Sequence, residues 1–398
     1  MKARADAVVI GGGIMGASIA HFLGKLGYGS VVLVEKSRLC GGSTQYSAAH
    51  VRQHYTNEVA IRLAVRAAGM FAHAEEELGG DVGFVQDGYL VIAPPEEEQA
   101  IRDVVPLQQR CGVETEVLTP EQVHERWPEL DVEGVALACF ERTSGYADPV
   151  RTVETIARSA QERYGLDVVE GCRALAVQTA GGRVTGVVTT EGEISTGVVV
   201  NAAGPWGDRV GRLAGIDYPL EFSREHEAIF DAPAEALGEI PVLSDVTQRL
   251  YFRRYGEQRV LVGEGWPKQK EPADPERYDD GTDAEHLARM APKLARRLPG
   301  LAATLGRADY GGTFVTGYSG VYDITEDWYP IVGEEEVGGY YSSFGGSGHC
   351  FKLGPAIGEA LADVIAGREP AIDISGLSGS RFAEGKTFNS VWGPGNRA

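Results

Sequence analysis

The sequence has no run of eighteen apolar residues, so no helix able to cross a bilayer is expected from it. It is short of positive charge: 37 Lys and Arg stand against 57 Asp and Glu, a net charge of −20. A basic face for nucleic acid is therefore not expected. A small anion is still compatible, because it senses only the charges lining its own pocket. Lysine is sparse, eight in all and none between Lys36 and Lys268. Cysteine is limited to Cys40, Cys111, Cys139, Cys172 and Cys350, an odd set without a CxxC pair. That argues against a zinc site or a disulfide framework and for a reducing compartment. A basic-then-apolar leader is missing, which makes the cytoplasm the expected location. No internal repeat is visible.

What remains is an ordinary globular composition, 43% hydrophobic and 24% charged, at a length that favours two domains. Its first feature is "VVIGGGIMGA" at 8–17. An apolar strand runs into Gly11-x-Gly13-x-x-Gly16, and a helix from Ile14 to about Leu26 ends at Gly27. A second apolar strand, "SVVLVE", closes on Glu35, nineteen residues after Gly16. Strand, glycine turn, helix and strand make a βαβ unit with a dinucleotide fingerprint. Gly11 permits the tight turn, Gly13 lets backbone approach a pyrophosphate, and Gly16 allows close helix packing. The helix start, with Ile14 and Met15, then faces the phosphates with its positive end. Glu35, followed by Lys36, is placed to accept hydrogen bonds from an adenosine ribose. The pattern alone does not separate NAD from FAD.

After residue 80 the character changes. "VGFVQDGYLVIAP" (82–94) reads as an antiparallel hairpin, and helices are expected near 96–112 and 119–130. An amphipathic helix starts at Asp148, and 173–204 reads as strands separated by Gly-rich turns. A hairpin is expected at 249–265 and a helix at 282–300. The implied fold is α/β: a Rossmann-like, nucleotide-type domain interleaved with a second domain built mostly on an antiparallel sheet. The first takes 1–80, 148–220 and 318–370, the second 81–147 and 221–317. Residues 371–398, rich in Gly, Ser and Asn, read as a loose tail.

"GGYYSSFGGSGHCFKLGPAIGEAL" (338–361) adds a second glycine loop followed by a helix, with Pro355 near its start and Glu359 in its first turns. Gly346 and Gly348 allow close approach to a ring. A helix N-terminus and Lys352 would stabilise the negative charge of a reduced flavin. His349 reads as a loop contact.

Taken together, "GGGIMG" with Glu35, "GGSTQYSAAHVRQHY", "GYADP", "NAAGPWGDRVGRLAG", "LYFRR…RVLVGEG" and "GGSGHCFKLGPAIGE" resemble the FAD-dependent D-amino-acid-oxidase superfamily. The similarity is to its sarcosine oxidase and dimethylglycine dehydrogenase branch. It implies FAD between a Rossmann-like domain and a large sheet. The cofactor contacts it implies are those of the glycine turn, Glu35 and Lys36, with Gly42, Ser43, Thr44 and Ala48. Ala174, Ala203, Gly204 and Trp206 follow, and Gly346, Gly348, His349, Cys350, Phe351 and Lys352 complete the set. Arg52 falls where an arginine meets a substrate carboxylate, Lys352 where a lysine fixes that carboxylate or the flavin, and Tyr251 where a tyrosine lines the substrate pocket. His54 and Tyr55 rank behind these.

Three departures from that pattern matter. A flavin-linking cysteine of some relatives corresponds to Gly320, and a flavin-linking histidine of others to Tyr46, so FAD is expected to be noncovalent despite Cys350 nearby. The lysine that promotes reaction with oxygen in sarcosine oxidases corresponds to Leu261, which leaves oxygen or another electron acceptor open. The implied reaction is oxidation of a small secondary or N-methyl amino acid to an imine by hydride transfer. The alternatives are a 2-hydroxy-acid oxidoreductase of the same fold and an idle FAD-binding assembly subunit. No metal, nucleic acid or membrane partner is expected, and a homo-oligomer is compatible.

Overall fold

The computed structural model describes residues 3–266 and 268–388. Its first sheet has six strands in the order Ile331–Glu334, Tyr340–Phe344, Val199–Asn201, Ala7–Ile10, Val31–Val34 and Asp167–Val169. All neighbours run parallel except Ile331–Glu334, which is antiparallel to Tyr340–Phe344. The central strands are continuous apolar runs because both faces are covered. Val9, Leu33 and Val200 pack on helices, whereas Val8, Val32 and Val199 pack on a three-stranded sheet formed within 174–195.

Helix Ile14–Lys25 lies against helix Cys350–Ile365, so the two ends of the chain meet. Small residues set the spacing: a Cβ on Gly358 would stand 2.6 Å from Ser18 Cβ, and one on Gly354 would stand 2.8 Å from Ile14 Cγ1.

The second sheet has eight strands, in the order Phe314–Ile324, Glu221–Asp231, Arg259–Glu264, Leu250–Arg254, Val242–Asp245, Tyr89–Ala93, Leu137–Glu141 and Thr115–Leu118. Only Val242–Asp245 and Tyr89–Ala93 pair in parallel. One face packs Phe230, Phe252 and Val262 on helix Ala284–Arg297 through Leu287, Met290 and Leu294. The other face turns Tyr251, Arg253 and Glu227 toward the first unit.

Several expectations need correction. Residues 82–94 do not close a hairpin. Tyr89–Ala93 instead pairs with Leu137–Glu141 and Val242–Asp245, strands distant in the chain. The last long helix begins at Cys350, not near Pro355, which is interior. The carboxylate of Asp323 accepts from Gly345 N at 2.6 Å and holds the loop that delivers the chain to that start. Glu359 then lies beyond the first turns and pairs with Arg66. The boundary expected at 317/318 falls inside Phe314–Ile324, whose pairing with Glu221–Asp231 continues to Ile324. The segment after 370 is not loose throughout: Ile374 and Leu377 are buried, and Arg381 forms a buried ion pair with Asp327 at 2.8 Å. The rest of that expected tail, 389–398, lies outside the described residues.

Among the described residues no helix is long and apolar enough to cross a membrane.

Candidate functional site

A cavity of about 420 Å³ opens where the glycine turn, the second glycine loop and the eight-stranded sheet converge. Gly11 adopts φ +114°, and a Cβ there would sit 2.5 Å from the Ala202 carbonyl oxygen, so only glycine fits. A Cβ on Gly16 would overlap the Gly11 carbonyl oxygen. Gly16 therefore serves the packing beneath the cavity and does not line it. Gly11, Gly13, Ile14 and Met15 do line it, as do Glu35 and Lys36.

Glu35 is held rigidly. It accepts from Gly12 N at 2.7 Å and from Ser37 N at 2.8 Å. Ser37 Oγ also donates to Oε1, at 3.0 Å, which leaves Oε2 with a further lone pair for a ligand hydroxyl. The Lys36 ammonium stands 3.4 Å from the Trp206 ring centroid and 3.3 Å from Glu276, which encloses one end of the cavity. Gly42, Ser43, Thr44, Ala174, Ala203 and Gly204 complete that wall, and Gly348, Cys350 and Phe351 close the other. Gly346 lies behind it, where a Cβ would strike Cys350 Sγ.

Two helix starts border this space, at Ile14 and at Cys350. Neither has a side-chain cap or an acidic residue in its first turn. Their first N–H groups and positive ends suit an anionic ligand. A rigid acid at the ribose position, a helix start without acidic side chains for phosphates, with the Thr44 hydroxyl on Ile14 N at 3.3 Å, and a second helix start beside a glycine loop fit FAD.

A smaller cavity of about 120 Å³ adjoins the first, sharing Ser47, Tyr322 and Gly348. It brings together Arg52, Tyr251 and Lys352, which come from three distant parts of the chain. Ala48 and His349 line this smaller space, not the larger. Arg52 is 8% exposed and lies 4.4 Å from the Tyr55 ring centroid. Burial works against its charge, but Tyr55, Tyr89 and Glu141 offset this and keep it a guanidinium. Lys352 Nζ donates to the Gly348 carbonyl at 3.1 Å. The Tyr251 ring meets His50 edge-on at 5.1 Å.

His50, Tyr89 and Lys268 also line this space and were missed from the sequence. Burial holds His50 well below the ordinary histidine value, with Arg253, Lys352 and Arg52 adding to the effect, so it is neutral. A signal for it existed: His50, Arg52 and His54 alternate, and all three face the cavity. Leu261 is buried on its strand, but Lys268 reaches the cavity from the loop beyond Arg259–Glu264 and lies 5.4 Å from the Tyr251 ring centroid. Residue spacing alone does not reveal it.

Comparison with known proteins agrees with this geometry. Residues 6–364 match the family described as FAD dependent oxidoreductase (DAO). The chain is 28% identical to human mitochondrial sarcosine dehydrogenase, over 98% of this chain and 43% of that one. It is 28% identical to 4-methylaminobutanoate oxidase (formaldehyde-forming) of Paenarthrobacter nicotinovorans, over 94% of this chain and 45% of that one. It thus spans less than half the length of these two relatives. The solved structure of L-proline dehydrogenase from P. horikoshii superposes with a TM-score of 0.88 at 29% identity, covering 98% of this chain and 100% of that one. On the match across nearly its whole length, this chain belongs to the DAO family of FAD-dependent oxidoreductases.

Proposed function

We propose that this protein oxidises a small secondary or N-methyl amino acid at the C–H bond next to nitrogen, giving an imine that water hydrolyses. The observation that carries this reading is the convergence of Arg52, Tyr251 and Lys352 on a cavity adjoining the FAD site. FAD supplies the acceptor for the hydride when bound. The protein's part is geometry and electrostatics. Arg52 offers a planar pair of donors to the substrate carboxylate, and Lys352 adds a second positive charge. The volume, about 120 Å³, suits a molecule of a few heavy atoms. His50, Tyr89 and Tyr251 replace water around it.

In this reading the domain division follows the sheets, with the later boundary after Ile324. FAD is held without a covalent link. Tyr46 and Gly320 face each other at the cavity, and a Cβ on Gly320 would lie only 2.9 Å from Tyr46 Cβ, which leaves little room for a linking side chain. Burial pushes the Cys350 thiol far up, so it is a poor nucleophile. Acid precipitation is expected to release all of the yellow colour into the supernatant. Five free cysteines are consistent with a reducing, cytoplasmic compartment. Oxygen or a protein acceptor re-oxidises the flavin, and a homo-oligomer is compatible with the fold.

Anaerobic mixing with sarcosine, N,N-dimethylglycine, L-proline and 4-methylaminobutanoate tests the substrate class. Bleaching of the flavin band by at least one of them is expected. Bleaching only by 2-hydroxy acids would move the protein to the alternative chemistry, and no bleaching by either class would mark an idle flavin subunit.

A further inference from the structure

Tyr251, Gly263 and Glu227 stand side by side on three adjacent strands of the large sheet, with Gly263 opposite each of the others. The central glycine lets the outer two meet. A Cβ on Gly263 would strike Tyr251 Oη and lie 2.5 Å from Glu227 Oε2. With that space open, the Tyr251 hydroxyl reaches across the middle strand and donates to Glu227 Oε1. Glu227 is 4% exposed, and its Oε2 has no hydrogen-bond partner. It lines the larger cavity and Tyr251 the smaller, so the pair sits where the two adjoin.

A buried carboxylate with an open oxygen is costly unless a ligand answers it. Burial pushes the Glu227 pKa up to about 7, against the bond from Tyr251 and the charges of Lys268 and Arg253, while Glu225 adds to the rise. Tyr318 and Tyr322 face the pair from the outer strand. Lys268 makes its ion pair with Glu225.

We propose that Glu227, acting through the Tyr251 hydroxyl, takes the proton from the substrate's ammonium group, an assignment that rests on the amino-acid reading of the smaller cavity. One N–H bond of the ammonium breaks, and its proton passes to Tyr251 Oη as the Tyr251 O–H proton passes to Glu227. Glu227 ends as a carboxylic acid and Tyr251 is unchanged. Nitrogen keeps the electron pair, which an ammonium lacks and which must assist departure of hydride from the neighbouring carbon. Arg52 and Lys352 hold the carboxylate of the same substrate, so the pocket reads an acid at one end and an amine at the other.

The test compares FAD-loaded wild type, Glu227→Gln and Tyr251→Phe between pH 6 and 9.5. The probes are whichever of the four amino acids above reduces the flavin fastest, and methoxyacetate, a carboxylate with no amine. Wild-type flavin reduction should lose rate below an apparent pKa near 7. Glu227→Gln should reduce ten- to hundredfold more slowly at pH 7 and recover toward pH 9.5, following the amino acid's own titration. Tyr251→Phe should show the same profile. Methoxyacetate binding, measured by calorimetry, should stay within about twofold of wild type in Glu227→Gln. A wild-type profile in Glu227→Gln overturns the assignment, as does a matching loss of methoxyacetate binding, which would make Glu227 a structural support. Should Glu227→Gln fail to hold FAD, Gly263→Ala separates the pair while keeping both groups, and it must give the same change in profile. Failure of all four amino acids to reduce the wild-type flavin would sink the amino-acid reading itself, before any variant is compared.

Discussion

The backbone N–H of Gln53 donates to Glu141 Oε2 at 2.8 Å, fastening the residue between Arg52 and His54 to the strand Leu137–Glu141. Ser144 Oγ donates to the same oxygen at 2.7 Å, and Glu141 has no exposed surface. Burial pushes its pKa from 4.5 up to about 7, against these two bonds and Arg52. The folded protein therefore binds this proton more tightly than the unfolded chain. The stabilisation is complete below pH 4.5 and is lost as pH rises through 7. Glu141→Gln keeps an acceptor for both donors but does not titrate. Relative to wild type it should gain about 3 kcal/mol between those two pH values. Urea unfolding of the apoprotein across that range checks this, and identical pH slopes for the two proteins would contradict it.

The two glycines that flank the first turn of the glycine fingerprint should respond differently to alanine. Gly16→Ala drives a methyl into the Gly11 carbonyl, so the strand–helix junction must open and FAD should not be retained. Gly13 has φ −83°, which alanine accepts, and a Cβ there meets only Thr44 Oγ1 at 3.1 Å. Gly13→Ala should leave apoprotein stability within about 1 kcal/mol. It should nevertheless weaken FAD binding by about tenfold or more, because the methyl occupies the space of the pyrophosphate. Titration of apoprotein with FAD, followed by flavin fluorescence, separates the two. Equal behaviour would remove the distinction drawn between packing and cofactor contact.

Arg52→Ala should lower kcat/KM for the amino-acid substrate by roughly 30-fold to several thousandfold. Losing one partner of a buried charge pair costs about 2–5 kcal/mol. Arg52→Lys should recover only part of this, since a point charge cannot form the planar pair of bonds. Steady-state kinetics on both variants supply the measurement. Unaltered turnover by Arg52→Ala would detach this residue from the substrate.

The ion pair of Arg381 with Asp327 is bidentate, at 2.8 and 3.0 Å, with side chains 3% and 1% exposed. Arg381→Ala strands a buried carboxylate and should destabilise the fold by about 3–5 kcal/mol. Deletion of everything after residue 370 should lower the melting temperature at least as much. A neutral deletion would restore the view of this segment as a loose tail.

The parts of the molecule legible in advance are those governed by neighbours in sequence. The turn at Gly11 needs a positive φ, and the capping residue Asp148 accepts from Arg151 N at 2.9 Å where the helix was expected to begin. The hairpin Leu250–Arg254 with Arg259–Glu264 was equally local. The misplaced start at Pro355 and the false hairpin at 82–94 share one cause. Asp323 in the first case, and the strands Leu137–Glu141 and Val242–Asp245 in the second, are remote partners that outweighed the local signal. Lys268 was missed for the same reason, since nothing beside it in the chain announces the cavity it enters, whereas His50 shared a legible alternation with Arg52 and His54.

By itself the amino-acid order determined where backbone must come close to a nucleotide, because steric limits on φ and the run of apolar side chains act over a few residues. Only the tertiary structure decided which side chains confront one another inside. Glu227 reaches Tyr251 solely because strand register sets a glycine between them. That register is fixed by pairing across the whole sheet, where no short stretch of sequence holds the information.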